Sequence, residues 1–501
     1  MKDQIIKNSL SGIIQLVIST IIAFIGISLF INKLGKEEYG MFSLISIIGN
    51  LSIFMKIGLD TSIVKYLSEQ GKTTESNYDI VISFLIFTFL GVTLSVIFYF
   101  FKDLFFSVIG IPPALLSAAN DLIVVLLVAN FILLIGQVFS SLLISQQLIY
   151  IVNNLQILNS VLYWGGIIVV ILLGYHISDL VIPILLSTII WFVLIVFFSI
   201  KYWNSFDISG LSKNARRVFK KQLSYGSQVY VSGILNAFYE PLTKIIISRY
   251  LGVTSVGFYD VALRVKTQLV GAIGKVFMPL MPLLSSLTRL DQIKNIVNDL
   301  TKKLILLVLP LSVIMGFCTF PLIEVWIGES IKTISLYVFF ISVSYLLFSV
   351  PMIPVYTYLL SKSKVRITIL VQLLNVVSNT LIIFMFRELL GWYSVLLGSV
   401  VSLLISFIVL NYFRKKYLDW TLFNYRKENF KFFLFLIFEI LLCFILNLYL
   451  DSSVIKLIVF PLLITILTLF YYRISSLITK EDINRYFANQ GLLTQILLKI
   501  F

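Results

Sequence analysis

Apolar residues fall in long blocks along this chain, separated by short breaks that carry charge, glycine or proline. A block of about 20 residues is what an α-helix needs to cross the hydrocarbon core of a bilayer. The pattern predicts fourteen such spans. Six lie at about 12–32, 41–59, 79–101, 121–144, 151–173 and 180–200, and six more at about 225–248, 257–284, 304–323, 334–360, 366–386 and 391–413. A last pair falls near 430–450 and 454–472. The second and eighth spans are weaker because they carry charges. The connections are short, which leaves little room for a folded domain outside the membrane.

Composition agrees with this reading. The chain is 59% apolar and only 13% charged, with a mean hydropathy of +1.00. A soluble surface needs roughly a quarter of its residues charged. A soluble enzyme, a secreted disulfide domain and a disordered protein are therefore excluded. The run from Gly12 to Ile31 follows Lys2 and Lys7, yet it is too long for a signal-peptide core and has no small-residue cleavage pattern after it, so a retained first span is expected. Cys318 and Cys443 sit inside long apolar runs and read as small buried side chains rather than a disulfide or metal site.

Charge then sets the orientation. With a cytoplasmic N-terminus, 27 of the 39 Lys and Arg residues fall in inner segments, 7 in outer segments and 5 within spans. Loss of one span would invert half of the chain and spoil that asymmetry. Fourteen spans with both termini in the cytoplasm is the consistent answer. It also accounts for most of the net charge of +15, so contact with membrane lipids is preferred over nucleic-acid binding.

Two pairs of segments match at nearly one offset. Leu34-Gly35-Lys36-Glu37-Glu38-Tyr39-Gly40-Met41-Phe42 and Leu251-Gly252-Val253-Thr254-Ser255-Val256-Gly257-Phe258-Tyr259 both read Leu-Gly, four residues, Gly, one residue, aromatic. Gln156-Ile157-Leu158-Asn159 is similarly matched by Gln372-Leu373-Leu374-Asn375. The repeat holds six spans, an even number, so its two copies share one orientation. Parallel repeats place a substrate path between two lobes. The expected organisation is an N-terminal six-helix lobe over 1–210, a C-terminal six-helix lobe over 211–424, and two additional helices with a tail over 425–501. The glycines of these motifs are expected to permit a tight reversal at the short outer turns.

Ionisable residues inside spans are expensive and normally face protein or water. Three stripes recur at helical spacing: Ser46, Gly49, Ser52, Lys56 and Asp60; Asn236, Glu240, Lys244 and Ser248; and Asp260, Arg264, Gln268, Gly271 and Lys275. Lys56 with Asp60, Glu240 with Lys244, and Asp260 with Arg264 are each spaced for local ion pairs. Lys275 has no acid one turn away, and Lys65 and Arg249 add charge near span ends. A chamber lined by Lys56, Lys65, Lys244, Arg249, Arg264 and Lys275 suits an anionic substrate, most simply a phosphate. Asp60, Glu240 and Asp260 are the candidates for a coupling proton or sodium ion. Lys266 lies off its stripe.

Other chemistry has little support. His176, the single histidine, reads as a solvated residue of an outer turn. No cysteine or histidine cluster has metal spacing, and no glycine-rich phosphate loop precedes a Lys-Ser or Lys-Thr pair. No metal or organic cofactor and no direct use of ATP are expected. Pro241, Pro279, Pro282, Pro351 and Pro354 lie inside spans, where freed carbonyls permit bending.

The segment from Leu34 to Ser68, with Ile57-Gly58-Leu59-Asp60-Thr61-Ser62, resembles the N-terminal signature of the polysaccharide repeat-unit flippases. Leu223 to Ser286, through Tyr225-Gly226, Gly257-Phe258-Tyr259-Asp260-Val261-Ala262 and Pro279 to Ser285, resembles their second signature. These proteins belong to the multidrug/oligosaccharidyl-lipid/polysaccharide exporter superfamily. The resemblance implies two six-helix lobes around a V-shaped central cavity, and lobe rocking that moves an undecaprenyl-pyrophosphate-linked oligosaccharide to the outer leaflet. It implies that cationic cavity residues attract the pyrophosphate, and that polysaccharide polymerase machinery takes up the product. In this family an acid often directly precedes the basic residue of the seventh span; here Thr243 precedes Lys244, and the nearest acid is Glu240.

The expected activity is thus transport without covalent chemistry. The alternatives are a lipid II or teichuronic-acid-type precursor flippase, a cation-coupled multidrug antiporter, which would favour an acidic or aromatic pocket, and a membrane polysaccharide polymerase, which would carry a sizeable outer loop. The two extra helices resemble those proposed to cradle the lipid tail in lipid II flippases.

Overall fold

A computed structural model describes residues 2–49, 59–204, 207, 209–277, 280, 284, 287, 289–328, 332–362, 364–419 and 430–475. Among these residues the secondary structure is entirely helical. In chain order the helices are α1 (Lys2–Lys33), α2 (Lys36–Gly49), α3 (Leu59–Gln70), α4 (Thr74–Phe100), α5 (Lys102–Ile109), α6 (Leu116–Ser145), α7 (Ile149–Leu172), α8 (Val181–Trp203) and α9 (Leu211–Leu251). They continue with α10 (Val253–Phe277), α11 (Leu290–Ile327), α12 (Lys332–Ser344), α13 (Ile353–Ser361), α14 (Val365–Leu390), α15 (Tyr393–Leu418), α16 (Phe430–Tyr449) and α17 (Ser453–Ser475).

Among the described residues, eleven helical segments are long and apolar enough to cross a membrane. The other three predicted spans fall on α2 with the stretch after it, on α9 and on α10, whose charged stripes dilute their apolar character. Faces left uncovered are apolar. On α1 they present Leu10, Ile13, Val17 and Ile21, and on α17 Ile458, Leu462, Ile466 and Phe470. Such faces at steps of three and four belong against lipid, where a helix satisfies its own backbone polar groups. The protein is a multi-pass membrane protein.

Helix α9 departs from the expected boundaries. It has 41 residues, a length of about 60 Å at about 1.5 Å per residue, roughly twice the hydrocarbon thickness. Lys213, Arg216, Arg217, Lys220 and Lys221, expected in a connection, instead form its first turns. Lys and Arg are good helix formers, and a helix need not stop where the membrane does. This end of α9 is called the basic end below. Of the prolines within spans, Pro351 and Pro354 lie in an irregular segment, where a π-turn at Tyr345–Ser349 and a 3-10 turn at Val350–Met352 separate α12 from α13, whereas α9 continues through Pro241, and Pro279 and Pro282 lie outside the described residues.

Packing divides the chain into two compact units, Met1–Arg264 with Lys364–Ile405, and Val265–Ser363 with Ser406–Phe501. In the first, α1 lies on α7, α6 on α4 and α8, and α9 on α4 and α14. Phe87, Leu134, Val138, Leu142 and Trp203 are buried together at its core. In the second, α11 packs on α12, α16 and α17. Cys318 and Cys443 are buried there with Phe460 and Ile464, both as free thiols.

Both copies of the glycine motif do two things. Gly35 and Gly252 hold φ of +103° and +87°, the region that a side chain makes costly, and so allow one helix to end and the next to begin at once. The second glycines bring helices together. A Cβ on Gly40 would lie 2.1 Å from the Val253 carbonyl oxygen, and one on Gly257 would lie 3.4 Å from the Gly40 Cα. The two copies of the motif therefore pack on each other, α2 against α10.

Candidate functional site

That close approach positions a buried cluster in the first unit. Asp260, one turn after Gly257, accepts from the Tyr39 hydroxyl at Oδ2 over 2.5 Å. Its Oδ1 accepts from Lys244 Nζ at 2.6 Å, and Oδ2 also accepts from Arg264 Nε at 2.8 Å. Lys244 Nζ further reaches Ser43 Oγ at 3.1 Å and Glu240 Oε1 at 2.9 Å. Tyr39, Lys244 and Asp260 are all buried. A carboxylate can accept several bonds, and both oxygens of Asp260 are taken. Its charge is therefore compensated by two cations at once, the condition under which a buried ion is tolerated.

Arg264 is different from Lys244. Its Nε is held by Asp260 and by the Tyr39 hydroxyl at 3.0 Å, while Nη1 and Nη2 have no hydrogen-bond partner among the described residues. Its guanidinium carbon lies 5.4 Å from the Trp164 ring centre, and its side chain is 31% exposed. The exposure is to a cavity of about 330 Å³ within the first unit, built by α2, α6, α7, α8 and Arg264 of α10. Ser46, Asn130, Asn159, Ser160 and Thr188 give this cavity polar walls, with Tyr163 and Trp164 beside them. Among the described residues Arg264 is its one charged lining residue, and none of the described lining residues is acidic.

The expected site residues are thus distributed unevenly. Glu240–Lys244 and Asp260–Arg264 form the local pairs that the spacing suggested. Arg264 lines a cavity; Lys244 is enclosed by its partners. Arg249 is exposed at the far end of α9, where Nη1 donates to the Ser107 carbonyl of α5 at 3.2 Å. Lys56 and the side chains of Asp60, Lys65 and Lys275 lie outside the described residues. Lys266, off its stripe, faces the Tyr345 ring at 5.6 Å in the second unit.

Sequence reasoning missed Tyr39, Ser43 and the cross-helix bond from Lys244 to Asp260. A signal was there: the offset of the glycine motif maps Ser43 onto Asp260, and Lys244 touches both. It also missed a second cluster at the basic end of α9. Asp79 of α4, fully buried, accepts from Lys221 Nζ at 2.8 Å and from Gln222 Nε2 at 3.0 Å. Ser83 Oγ donates to Gln222 Oε1 at 2.8 Å, Lys221 lies over the Tyr66 ring at 4.3 Å, and Arg217 pairs with Glu75 at 3.2 Å.

The chain matches, over residues 34–336, a family model described as polysaccharide biosynthesis protein. It belongs to this family. The matched region begins at Leu34, the first residue of the first glycine motif, and contains the whole Tyr39–Lys244–Asp260–Arg264 cluster. A Shigella flexneri protein named "Putative O-antigen transporter" is 23% identical over 407 residues, covering 79% of this chain and 94% of that protein. Among solved structures, the lipid II flippase MurJ in an inward closed conformation gives a TM-score of 0.68 at 17% identity, covering 93% of this chain and 99% of that one. An inward-facing multidrug resistance MATE family transporter of the MOP superfamily gives 0.61 at 16% identity, covering 81% and 99%. This member of the polysaccharide biosynthesis protein family therefore has the fold of a membrane transporter. Helices α16 and α17 lie beyond the matched region.

Proposed function

We propose that this protein is a flippase that moves undecaprenyl-pyrophosphate-linked oligosaccharide repeat units from the cytoplasmic to the outer leaflet of the bacterial plasma membrane by alternating access. The basic end of α9 and both chain termini would face the cytoplasm, as the distribution of Lys and Arg favours. The observation that carries this reading is Arg264. Asp260 and Tyr39 grip Nε and fix the plane of the guanidinium, while the two terminal nitrogens have no hydrogen-bond partner among the described residues and Arg264 lines a cavity whose described walls are polar and carry no acid. A fork of that kind matches a phosphate oxygen pair and is prepaid in orientation. Lys244 acts behind it by holding the other oxygen of Asp260.

The lipid needs a different environment. The second unit contains an apolar cavity of about 520 Å³ lined by Leu309, Leu347, Phe407, Phe433, Leu434 and Ile437, which suits an isoprenoid tail. For a coupling proton or sodium ion, Glu240 is the better candidate. Its side chain is 47% exposed and holds one partner, whereas Asp260 is buried and fully engaged. A polysaccharide polymerase would then receive the flipped product. A cationic drug finds no acid among the described lining residues of the Arg264 cavity.

The test is translocation of an undecaprenyl-pyrophosphate-linked trisaccharide in liposomes holding purified protein. Arg264→Gln is expected to slow it about 10- to 100-fold, as loss of a charge-assisted contact does, with Arg264→Lys between the two because it keeps charge without the fork. Wild-type rates in Arg264→Gln would overturn the assignment. Lipid II, as a parallel substrate in the same liposomes, separates the two precursor classes.

A further inference from the structure

The two helices beyond the matched region hold an acid that the transport reading has not used. Glu439 is the tenth of the 20 residues of α16, halfway along the span, and it is fully buried. An ionisable group at that depth is rare and usually functional. The buried positions of α16 are Phe432, Leu436, Glu439 and Cys443, and those of α17 are Phe460, Ile464, Thr468 and Tyr472, each set at helical spacing. Thr468 Oγ1 donates to Glu439 Oε1 at 2.9 Å, while Oε2 is buried with no hydrogen-bond partner among the described residues.

The surroundings decide which form of the acid fits. Cys443 lies one turn along α16, and α11 brings Cys318, both as free thiols. On α17, one turn beyond Thr468, the phenol of Tyr472 donates to the Leu306 carbonyl of α11 at 2.6 Å. Glu324 of α11 and Arg473 of α17 stand near the ends of their helices, and Glu439 forms no ion pair among the described residues. A carboxylate in this seam would have one donor and no counter-charge, a far more costly burial than that of the neutral acid.

Another face of α16 is a wall of the apolar cavity. Phe433, Leu434 and Ile437 line the space of about 520 Å³ read above as the place of the isoprenoid tail, with Leu309 of α11 and Phe407 of α15. Tyr472 ties α17 to α11, and Glu439 ties α16 to α17. The position of this wall therefore depends on the seam that holds the acid.

We propose that Glu439 is a proton-operated latch on the tail cavity. With its proton on, it seats α16 against α17 and the cavity stays formed. When the proton passes to water, the carboxylate leaves the seam, α16 shifts and the cavity releases the tail. This inference rests on the tail reading of the cavity and adds its control by pH. The seated form is the protonated one, so its advantage is present at low pH and lost as pH rises. Linkage is reciprocal, so a bound tail favours the protonated acid.

The experiment uses purified full-length protein in nanodiscs and a polyprenol carrying a benzophenone, an uncharged probe with no titration of its own. Photolabelling of the peptides that line the cavity is read by mass spectrometry between about pH 5 and about pH 9. In wild-type protein labelling is expected to fall as pH rises, by at most about tenfold per pH unit, the limit for one proton. Glu439→Gln, neutral at every pH, should label across the range as wild-type protein does at low pH. Glu439→Leu, which fills the seam without a polar atom, should be equally flat. A flat wild-type profile, or a slope that persists in either variant, overturns the latch and leaves the tail reading standing. No labelling of the cavity in wild-type protein at any pH overturns the tail reading and the latch together.

Discussion

Two buried carboxylates hold α9, and they stand in different surroundings. Asp79 of α4 grips the basic end through Lys221 and Gln222, and Asp260 of α10 grips the apolar half through Lys244. Around Asp79 the polar groups satisfy one another and the outermost pair, Arg217 with Glu75, lies in the open, 65% and 43% exposed. Around Asp260 one cation is enclosed, and the other lines a cavity with two nitrogens that have no hydrogen-bond partner among the described residues. The same chemistry thus serves attachment in one place and presentation in the other. What differs is whether a cation keeps unused donors next to empty space.

The largest effect should come from Asp260. Asp260→Asn leaves Lys244 and Arg264 without their shared counter-charge, a loss of about 3–5 kcal/mol when a buried ion pair is broken on one side. Thermal unfolding in detergent checks this; wild-type stability would mean that the cations find other partners. The double variant Lys244→Met/Asp260→Leu sharpens the point. Replacing a buried pair by apolar groups is often close to neutral, so stability should largely return. Translocation should not return, because Arg264 has lost the carboxylate that fixes its plane.

At Asp79 the same kind of change should cost less. Lys221 is 24% exposed and can reach water once Asp79 is gone, so Asp79→Ala is expected to lose about 1–3 kcal/mol, mostly from Gln222 left with unmet bonds. Translocation per folded molecule should change less than it does in the Asp260 double variant. The reverse ranking would show that the basic-end cluster takes part in transport and is more than an attachment.

Much of this was legible in the sequence. Span periodicity located the transmembrane helices, and the Leu-Gly-x-x-x-x-Gly repeat foretold the turns at Gly35 and Gly252. Helical spacing found Glu240–Lys244 and Asp260–Arg264 because those partners share one helix. Tyr39, Ser43 and Asp79 were invisible to that rule. Their partners lie more than a hundred residues away, and only the packing of α2 on α10 and α4 on α9 makes them neighbours. The polar wall of Asn130, Asn159 and Thr188 was hidden for another reason: it is assembled from three helices, and spacing within one helix does not tell which amides and hydroxyls of its neighbours share a cavity with it.

The smallest effect is expected at the rim. Arg217 and Glu75 form an ion pair in open solvent, where the Coulomb gain is offset by the entropy of holding two long side chains. A double-mutant cycle with Arg217→Ala and Glu75→Ala should give a coupling of about 0–1 kcal/mol, and it should vanish near 1 M salt, where the screening length is about 3 Å. The parallel cycle on Lys221 and Asp79 should keep most of its coupling in that salt, since Asp79 is shielded from ions by α4 and α9. If both couplings disappeared together, the buried and exposed pairs would be one electrostatic patch, and the contrast between Asp79 and its rim would be lost.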